Sequence, residues 1–191
     1  MNATRRFRML SAVLLAAAML AGCRTTRQTR YLHQNADLGA IRKVAVLPFD
    51  TLATDRTSGD KAQKIFTIEL LALDVFEVAE PGQVMKIVRT SGPLDALGPA
   101  EYQKIGKDLG VDAVFAGSVV DFDEARGAGA GSPEVTIQLR LIETQTGSTI
   151  WSTSQTRSGA SVGTRLFGIG GESLTEAARR VLRAELRTLL Q

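Results

Sequence analysis

Apolar and polar residues follow a regular pattern from residue 43 onward, and its first half predicts strands and helices in turn. The run 43–49 (KVAVLPF) is apolar, rich in valine and closed near a proline, which is typical of a core strand. Apolar positions recur at helical spacing over 60–73. A short strand at 76–79 follows, and then a helix over 81–91 that a proline opens.

The second half of the pattern predicts one more helix and then three strands. Residues 99–109 begin with a proline and end before Gly110, which suits the left-handed cap of a helix. The strand over 111–122 is apolar on both faces in its middle, as expected where helices cover both sides of a sheet. Residues 134–143 alternate apolar and polar side chains, and a Thr-Gly turn leads into a hairpin partner over 148–156.

The last helix begins at Ser173, which forms a capping box with Glu176. Its inward face carries Leu174, Ala178, Val181, Leu182, Leu186 and Leu189. The elements therefore follow the order βαβααβββα. A chain of this kind buries its apolar faces as an α/β (α+β) sandwich, in which helices cover a mixed β-sheet. We expect this globular domain to span residues 43–191.

The N-terminus has the three parts of an export signal. Three arginines precede an uncharged, largely apolar run from Met9 to Ala21. Thirteen residues of helix rise only about 20 Å, short of the roughly 30 Å of bilayer hydrocarbon, so the run is too short for a membrane span. We expect residues 1–22 to be a signal peptide that is removed from the mature protein.

The tetrapeptide Leu20-Ala21-Gly22-Cys23 ends this signal and resembles the lipobox of bacterial lipoproteins. The resemblance implies that a signal peptidase recognises Leu20, Ala21 and Gly22 and that Cys23 is lipidated, with palmitate-type acyl chains anchoring the protein in a membrane. A plain secretory signal followed by an incidental cysteine is the alternative. Cys23 is the only cysteine of the chain, which favours the lipoprotein interpretation.

The segment that follows Cys23 is polar and lacks sustained apolar periodicity, so we expect residues 23–42 to be the lipidated cysteine and a flexible basic tether. Its 19 residues after the cysteine span at most about 63–68 Å. The arginines could lie against anionic head groups, or the linker could simply be solvated. Arg24, where an aspartate would favour retention in the inner membrane, indicates the outer membrane, with the domain facing the periplasm.

The net charge of +3 suggests a nucleic-acid partner only until its distribution is considered. Three of the 23 basic residues lie in the signal, which leaves the mature chain with 20 basic and 20 acidic side chains. The tether is basic and the domain mildly acidic. No large cationic face is implied, so we expect no nucleic-acid partner.

Several kinds of catalytic chemistry are excluded within the domain. It contains no cysteine, and the only histidine of the chain is His33, in the predicted tether. Zinc sites of the Cys/His type and triads that use histidine are therefore absent. The carboxylates Asp121, Asp123 and Glu124 are interpreted as a solvated turn. We expect no metal, no cofactor and no enzymatic activity.

A Gly-rich stretch at 158–171 precedes the last helix. It lacks the Lys-Ser/Thr of a phosphate-binding loop. Its apolar residues Leu166, Phe167 and Ile169 make it a candidate loop for docking a partner protein.

Three segments together carry a resemblance to a known group: 44–49 (VAVLPF), 105–119 (IGKDLGVDAVFAGSV) and 141–152 (LIETQTGSTIWS). The chain is similar over about 42–190 to the superfamily of envelope lipoproteins that contains the curli-export lipoprotein (CsgG type), the penicillin-binding-protein activator (LpoB type) and the N-terminal domain of TolB. The resemblance implies an anticodon-binding-domain-like fold, no enzymatic activity, and work done by docking onto other envelope proteins.

These observations favour a non-enzymatic, lipid-anchored envelope protein. Its domain would dock onto a partner in an assembly, secretion or cell-wall synthesis system. The alternative is an oligomeric subunit of a curli-type outer-membrane export channel, which would make the chain a homo-oligomer. The candidate insertions at 123–133 and 158–171 are shorter and richer in glycine than the membrane hairpins of that channel.

Overall fold

The computed structural model describes residues 26–125, 132–158 and 172–190. The strands are β1 (Thr26–Leu32), β2 (Lys43–Val46), β3 (Asp50–Thr51), β4 (Glu77–Val78), β5 (Ala113–Ala125), β6 (Ser132–Glu143) and β7 (Thr149–Ser158). The helices are α1 (Ser58–Leu73), α2 (Pro81–Ser91), α3 (Pro99–Leu109) and α4 (Leu174–Leu189), with short 3-10 turns at Leu38–Ala40 and Leu94–Ala96. In this described part of the chain, no helix is both long and apolar enough to cross a membrane.

The strands that the structure describes form one seven-stranded mixed sheet in the order β1-β7-β6-β5-β2-β4, with β3 paired to β5 beyond the end of β2. β2 runs parallel to both β4 and β5, and β3 also runs parallel to β5. The pairs from β5 through β6 and β7 to β1 are antiparallel. The predicted fold class, a mixed sheet covered by helices, is confirmed.

Helices pack on both faces of the sheet. On one face α1 and α4 enclose the larger core, in which Phe66, Phe115 and Trp151 are fully buried. On the other face α2 and α3 enclose a smaller core against β2, the start of β5 and the end of β6, built around Leu47, Ile105 and Ile142. The layer formed by α2 and α3 covers only part of its face of the sheet, so the rest of that face, across β6 and β7, remains uncovered.

The structure changes the predicted tether. The polar pattern predicts a flexible linker over 23–42, whereas Thr26–Leu32 forms β1 and pairs with β7 from Thr26↔Arg157 to Leu32↔Trp151. The side chains of 28–32 are all exposed. The strand is therefore held by the backbone ladder and buries no apolar face. Since hydrophobic periodicity records only the burial of side chains, the pattern of apolar residues does not predict a strand there.

Candidate functional site

The residues that carry the family resemblance meet at one junction between α3, β5 and the turn after β6. The hydroxyl Oγ1 of Thr144 donates to the carbonyl of Val111 at 2.6 Å. A Cβ at Gly106 would overlap the Thr144 side chain, so only glycine lets the helix approach the turn this closely. Gly147 has φ +73° and lies against the backbone of Pro99, the first residue of α3. The motif residues thus allow α3 to pack closely against the turn between β6 and β7.

Asp112 completes this junction from the other side. Its Oδ2 accepts hydrogen bonds from the backbone N–H groups of Arg42 and Lys43, each at 2.9 Å. These two donors, Lys43 first, lower the pKa of the Asp112 carboxyl. A depression of about 380 Å³ lies beside it, also lined by Gly110 and Glu143. Asp112 and Thr144 already form hydrogen bonds with backbone groups, so these two side chains support the fold.

The three candidate carboxylates lie on β5. A register shift between Val119 and Asp121 places Asp121 opposite Thr136, and Asp123 lies opposite Glu134. Asp121 is half-buried and Asp123 is exposed, while Glu124 pairs in the ladder with Pro133. Among the residues described, no group of three or more His, Cys, Asp or Glu side chains could hold a metal ion.

The uncovered sheet face forms a shallow polar groove of about 400 Å³ across β5, β6, β7 and β1. Its lining is made of small, hydroxyl and long polar side chains: Thr29, Tyr31, Ala116, Gly117, Ser118, Gln138, Arg140, Ser152, Thr153 and Ser154. Arg140 and Gln138 are exposed here, whereas Ile142, on the same face of β6, is buried beneath the second helical layer. The groove is therefore a solvated surface whose hydroxyl, amide and guanidinium groups can form hydrogen bonds.

An apolar patch lies on α1, away from the core. Ile68 and Leu71 occupy neighbouring positions on the outer face of the helix and are 65% and 55% exposed, and Val75, just past its C-cap, is 48% exposed. We call these three residues the outer patch. Lys64, one turn before Ile68, is exposed and gives the patch a charged rim. Exposed apolar side chains that lie close together on a surface are a candidate site for contact with another molecule.

The inner side of α1 is clamped to α4. Glu69 is buried and accepts from Arg183 at 2.8 and 3.1 Å, and Arg179 lies 3.5 Å from it. The arginine heads remain half-exposed at the surface. Because Glu69 and Ile68 are adjacent in sequence, this clamp fixes the orientation in which α1 presents the outer patch.

Sequence reasoning also missed the acid that is most deeply buried among the described residues. Glu185, on α4, is fully buried, and neither carboxyl oxygen has a hydrogen-bond partner among the described residues. Burial raises the pKa of Glu185 well above its ordinary value. The signal was present in the spacing, since Glu185 falls four residues after Val181 and three after Leu182, on the inward face.

The remaining predicted site residues lie outside the described residues. They are the peptidase-recognition residues Leu20, Ala21 and Gly22, the lipidation site Cys23, and the docking-loop residues Leu166, Phe167 and Ile169. Their roles stay predictions.

The fold defines the class of protein as an α+β sandwich. The motif residues Gly106, Thr144 and Gly147 have structural roles, and the exposed features described above are the outer patch and the polar groove. No family model matches the sequence, and no curated protein matches it either. Among solved structures the chain is similar to the PelC dodecamer from Paraburkholderia phytofirmans, with a TM-score of 0.62, 19% identity, and coverage of 86% of this chain and 97% of that one.

Two further solved structures are similar to the chain. One is lipoprotein GNA1162 from Neisseria meningitidis, with a TM-score of 0.51, 18% identity, and coverage of 64% of this chain and 88% of that one. The other is the LpoB C-terminal domain from Escherichia coli, with a TM-score of 0.48, 21% identity, and coverage of 66% and 90%. The resemblance to this kind of envelope lipoprotein is thus confirmed as a likeness of fold.

Proposed function

We propose that this chain is a non-enzymatic, lipid-anchored protein of the bacterial envelope. Cys23 holds it at the outer membrane, and its periplasmic domain docks onto a partner protein of an assembly, secretion or cell-wall synthesis system. The observation that carries the proposal is the outer patch, Ile68, Leu71 and Val75, on a helix whose opposite face is fully packed. The likeness of fold to PelC and to lipoprotein GNA1162 supports it.

The outer patch has the make-up of a protein-docking surface. Protein interfaces combine an apolar centre, depleted of charge, with a polar rim. Ile68 and Leu71 supply such a centre, and Lys64 lies at its edge. The Glu69–Arg183 ion pair keeps the helix in place. Pre-ordering of this kind lowers the entropy lost on binding, so a small patch can contribute usefully to affinity.

The test replaces Ile68 and Leu71 together by aspartate in the full lipidated protein. Partners are identified by photo-crosslinking from position 75 and by co-purification from the envelope fraction, with mass spectrometry. We expect the double variant to lose one specific envelope partner. The matched control is Leu52→Asp, because Leu52 is 66% exposed, close to the 65% of Ile68, but lies outside the patch. Retention of every partner by the double variant would contradict the docking role.

A second candidate is an assembly of copies of this chain that serves export, as in a curli-type channel. It is favoured by the PelC likeness, because PelC was solved as a dodecamer and matches 86% of this chain. The exposed edge of β1 and the polar groove offer surfaces on which copies could pair. Mass photometry and electron microscopy of the lipidated protein in detergent decide this point. A ring of defined size would establish the assembly, and a strictly monomeric particle would exclude it.

A further inference from the structure

The position of β1 limits the length of chain between Cys23 and the folded domain. Only residues 24 and 25 separate Cys23 from Thr26, the first residue of β1. A polypeptide spans at most about 3.3–3.6 Å per residue, so the Cα atoms of residues 23 and 26 lie within about 10–11 Å of each other. The 19-residue tether that the sequence suggests is therefore reduced to a connection of two residues.

The rest of the predicted tether is tied to the sheet at several points. Seven residue pairs join β1 to β7, and the N–H of His33 extends the ladder by donating to the carbonyl of Ile150 at 2.8 Å. At the end of the segment, Asp112 accepts from the backbone N–H groups of Arg42 and Lys43. Slack between the anchor and the domain is thus limited to the two residues that precede β1.

The pairing registers show which end of the sheet lies near the anchor. Thr26 pairs with Arg157, Arg157 with Val135, and Val135 with Phe122, so these four residues form one row across the sheet. The β5–β6 hairpin continues past this row to Ala125 and Ser132. That is three further residues, or about 10 Å at the rise of a strand. The hairpin therefore extends about as far as Cys23 can reach from Thr26.

We infer that the end of the sheet formed by the start of β1 and the paired ends of β5 and β6 faces the phospholipid head groups that hold the anchor. This inference rests on the proposed lipidation of Cys23. The surface that contacts this end of the sheet is the bilayer itself, because a lipidated Cys23 lies in the bilayer. The polypeptide then holds Thr26 within about 10–11 Å of Cys23.

The same geometry places the outer patch far from the membrane-facing end. α1 begins at the level of Val119, three residues short of the row that contains Thr26: the N–H of Gly59 donates to Thr51 Oγ1 at 3.0 Å, and Thr51 pairs with Val119. Thirteen residues separate Ser58 from Leu71, and a helix rises 1.5 Å per residue, so the patch lies about 20 Å along α1. α1 leads into β4, which pairs with the start of β2. The patch therefore lies toward the end of the sheet opposite the anchor, and a partner bound to it would not need to contact the same lipid surface.

The test uses the full lipidated protein in vesicles of phosphatidylethanolamine and phosphatidylglycerol. Since Cys23 is the only cysteine and its thiol would be blocked by lipid, single variants Asp123→Cys and Gln145→Cys can each carry one fluorophore. Both positions are exposed, and about 33 Å of strand separates Asp123 from Ala113, at the end where Gln145 lies. A nitroxide on the lipid head groups quenches fluorophores at short range. We expect quenching at position 123 to exceed that at 145 several-fold.

A third sample inserts 15 Gly/Ser residues between Thr25 and Thr26. A flexible linker of this length has an r.m.s. span of about 19–23 Å, so the difference between the two positions should collapse. Equal quenching at 123 and 145 without the insertion, or stronger quenching at 145, would overturn the orientation. Flotation with the vesicles is measured on the same samples. Failure to float contradicts the anchor and the orientation together, whereas flotation with equal quenching contradicts the orientation alone.

Discussion

The two halves of the sheet are buried to different extents, although they share β5. Around β4, β2 and the start of β5, helices lie on both faces, and Ala45, Val114 and Phe115 are fully buried. Across β6 and β7 the face toward α4 is covered, and the other face carries exposed polar groups such as Arg140. One sheet can therefore contain the core that stabilises the fold and also present surface for contact.

The difference in burial is tested most directly by substituting two residues on one face of β6 and comparing the loss of stability. Ile142 is 1% exposed beneath α2 and α3, and Arg140 is two positions earlier in the open groove. We expect Ile142→Ala to lower the free energy of unfolding by about 2–5 kcal/mol, because it leaves a cavity in the smaller core. Arg140→Ala should change it by no more than about 0.5 kcal/mol. Urea unfolding monitored by circular dichroism, with unchanged slopes, measures both; comparable losses would show that the groove is covered.

Glu185 tests the covered face of β6 and β7, on which α4 packs. Its raised pKa means that the folded state holds the proton more tightly than the unfolded chain, whose value is near 4.5. Its contribution to stability is therefore fully present below pH 4.5 and is lost as pH rises through the folded value. We expect Glu185→Gln to stabilise the protein by about 1–3 kcal/mol at pH 8 and to have little effect at pH 4.

Unfolding of wild type and variant across pH 4–8 measures this effect. The control is Glu176→Gln, at the start of the same helix, where the carboxylate forms half-exposed ion pairs with Arg179 and Arg180. That change should alter stability by less than about 1 kcal/mol at any pH. A Glu185→Gln variant no more stable than wild type at pH 8 would show that the buried carboxyl is not destabilising.

The smallest effect is expected for Asp112, beside the part of the sheet that helices cover on both faces. Asp112→Ala leaves two backbone N–H groups, those of Arg42 and Lys43, without their acceptor and should cost about 1 kcal/mol, since water reaches this exposed residue. Asp112→Asn keeps a carbonyl acceptor and should lose less. Because the folded pKa is lowered from 3.8, this stabilisation is lost as pH falls through the folded value. Amide hydrogen exchange at residues 42 and 43 reports the change directly; unchanged protection in Asp112→Ala would contradict it.

Much of the covered core could be predicted because burial leaves a periodic record. The helices over 81–91 and 99–109 have the predicted bounds, and Gly110 takes the left-handed cap with φ +62°. Ser173 accepts from the N–H of Glu176, which is one of the two hydrogen bonds of the predicted capping box, whereas the Glu176 carboxylate pairs with Arg179 and Arg180. These features depend on residues close together in sequence, so local chemistry was sufficient to identify them.

The exposed parts were harder to predict. The outer patch contributes apolar residues that fit a helical pattern as well as core residues do, and only packing shows that Ile68 and Leu71 face solvent. β3 pairs two residues, Asp50 and Thr51, with β5 and is too short for any period to appear. Glu185 is charged and sits at an inward position, so its spacing and its residue type gave opposite indications.

The sequence by itself determined the order of the predicted helices and strands, the mixed-sheet fold class and the absence of thiol and imidazole chemistry from residues 43–191. Only the tertiary structure decided that Thr26–Leu32 belongs to the sheet, that one face of β6 and β7 stays open, and which end of the domain lies nearest Cys23. The reason is physical: hydrophobic periodicity records the burial of side chains, whereas an exposed edge strand is held by backbone hydrogen bonds to residues more than 100 positions away.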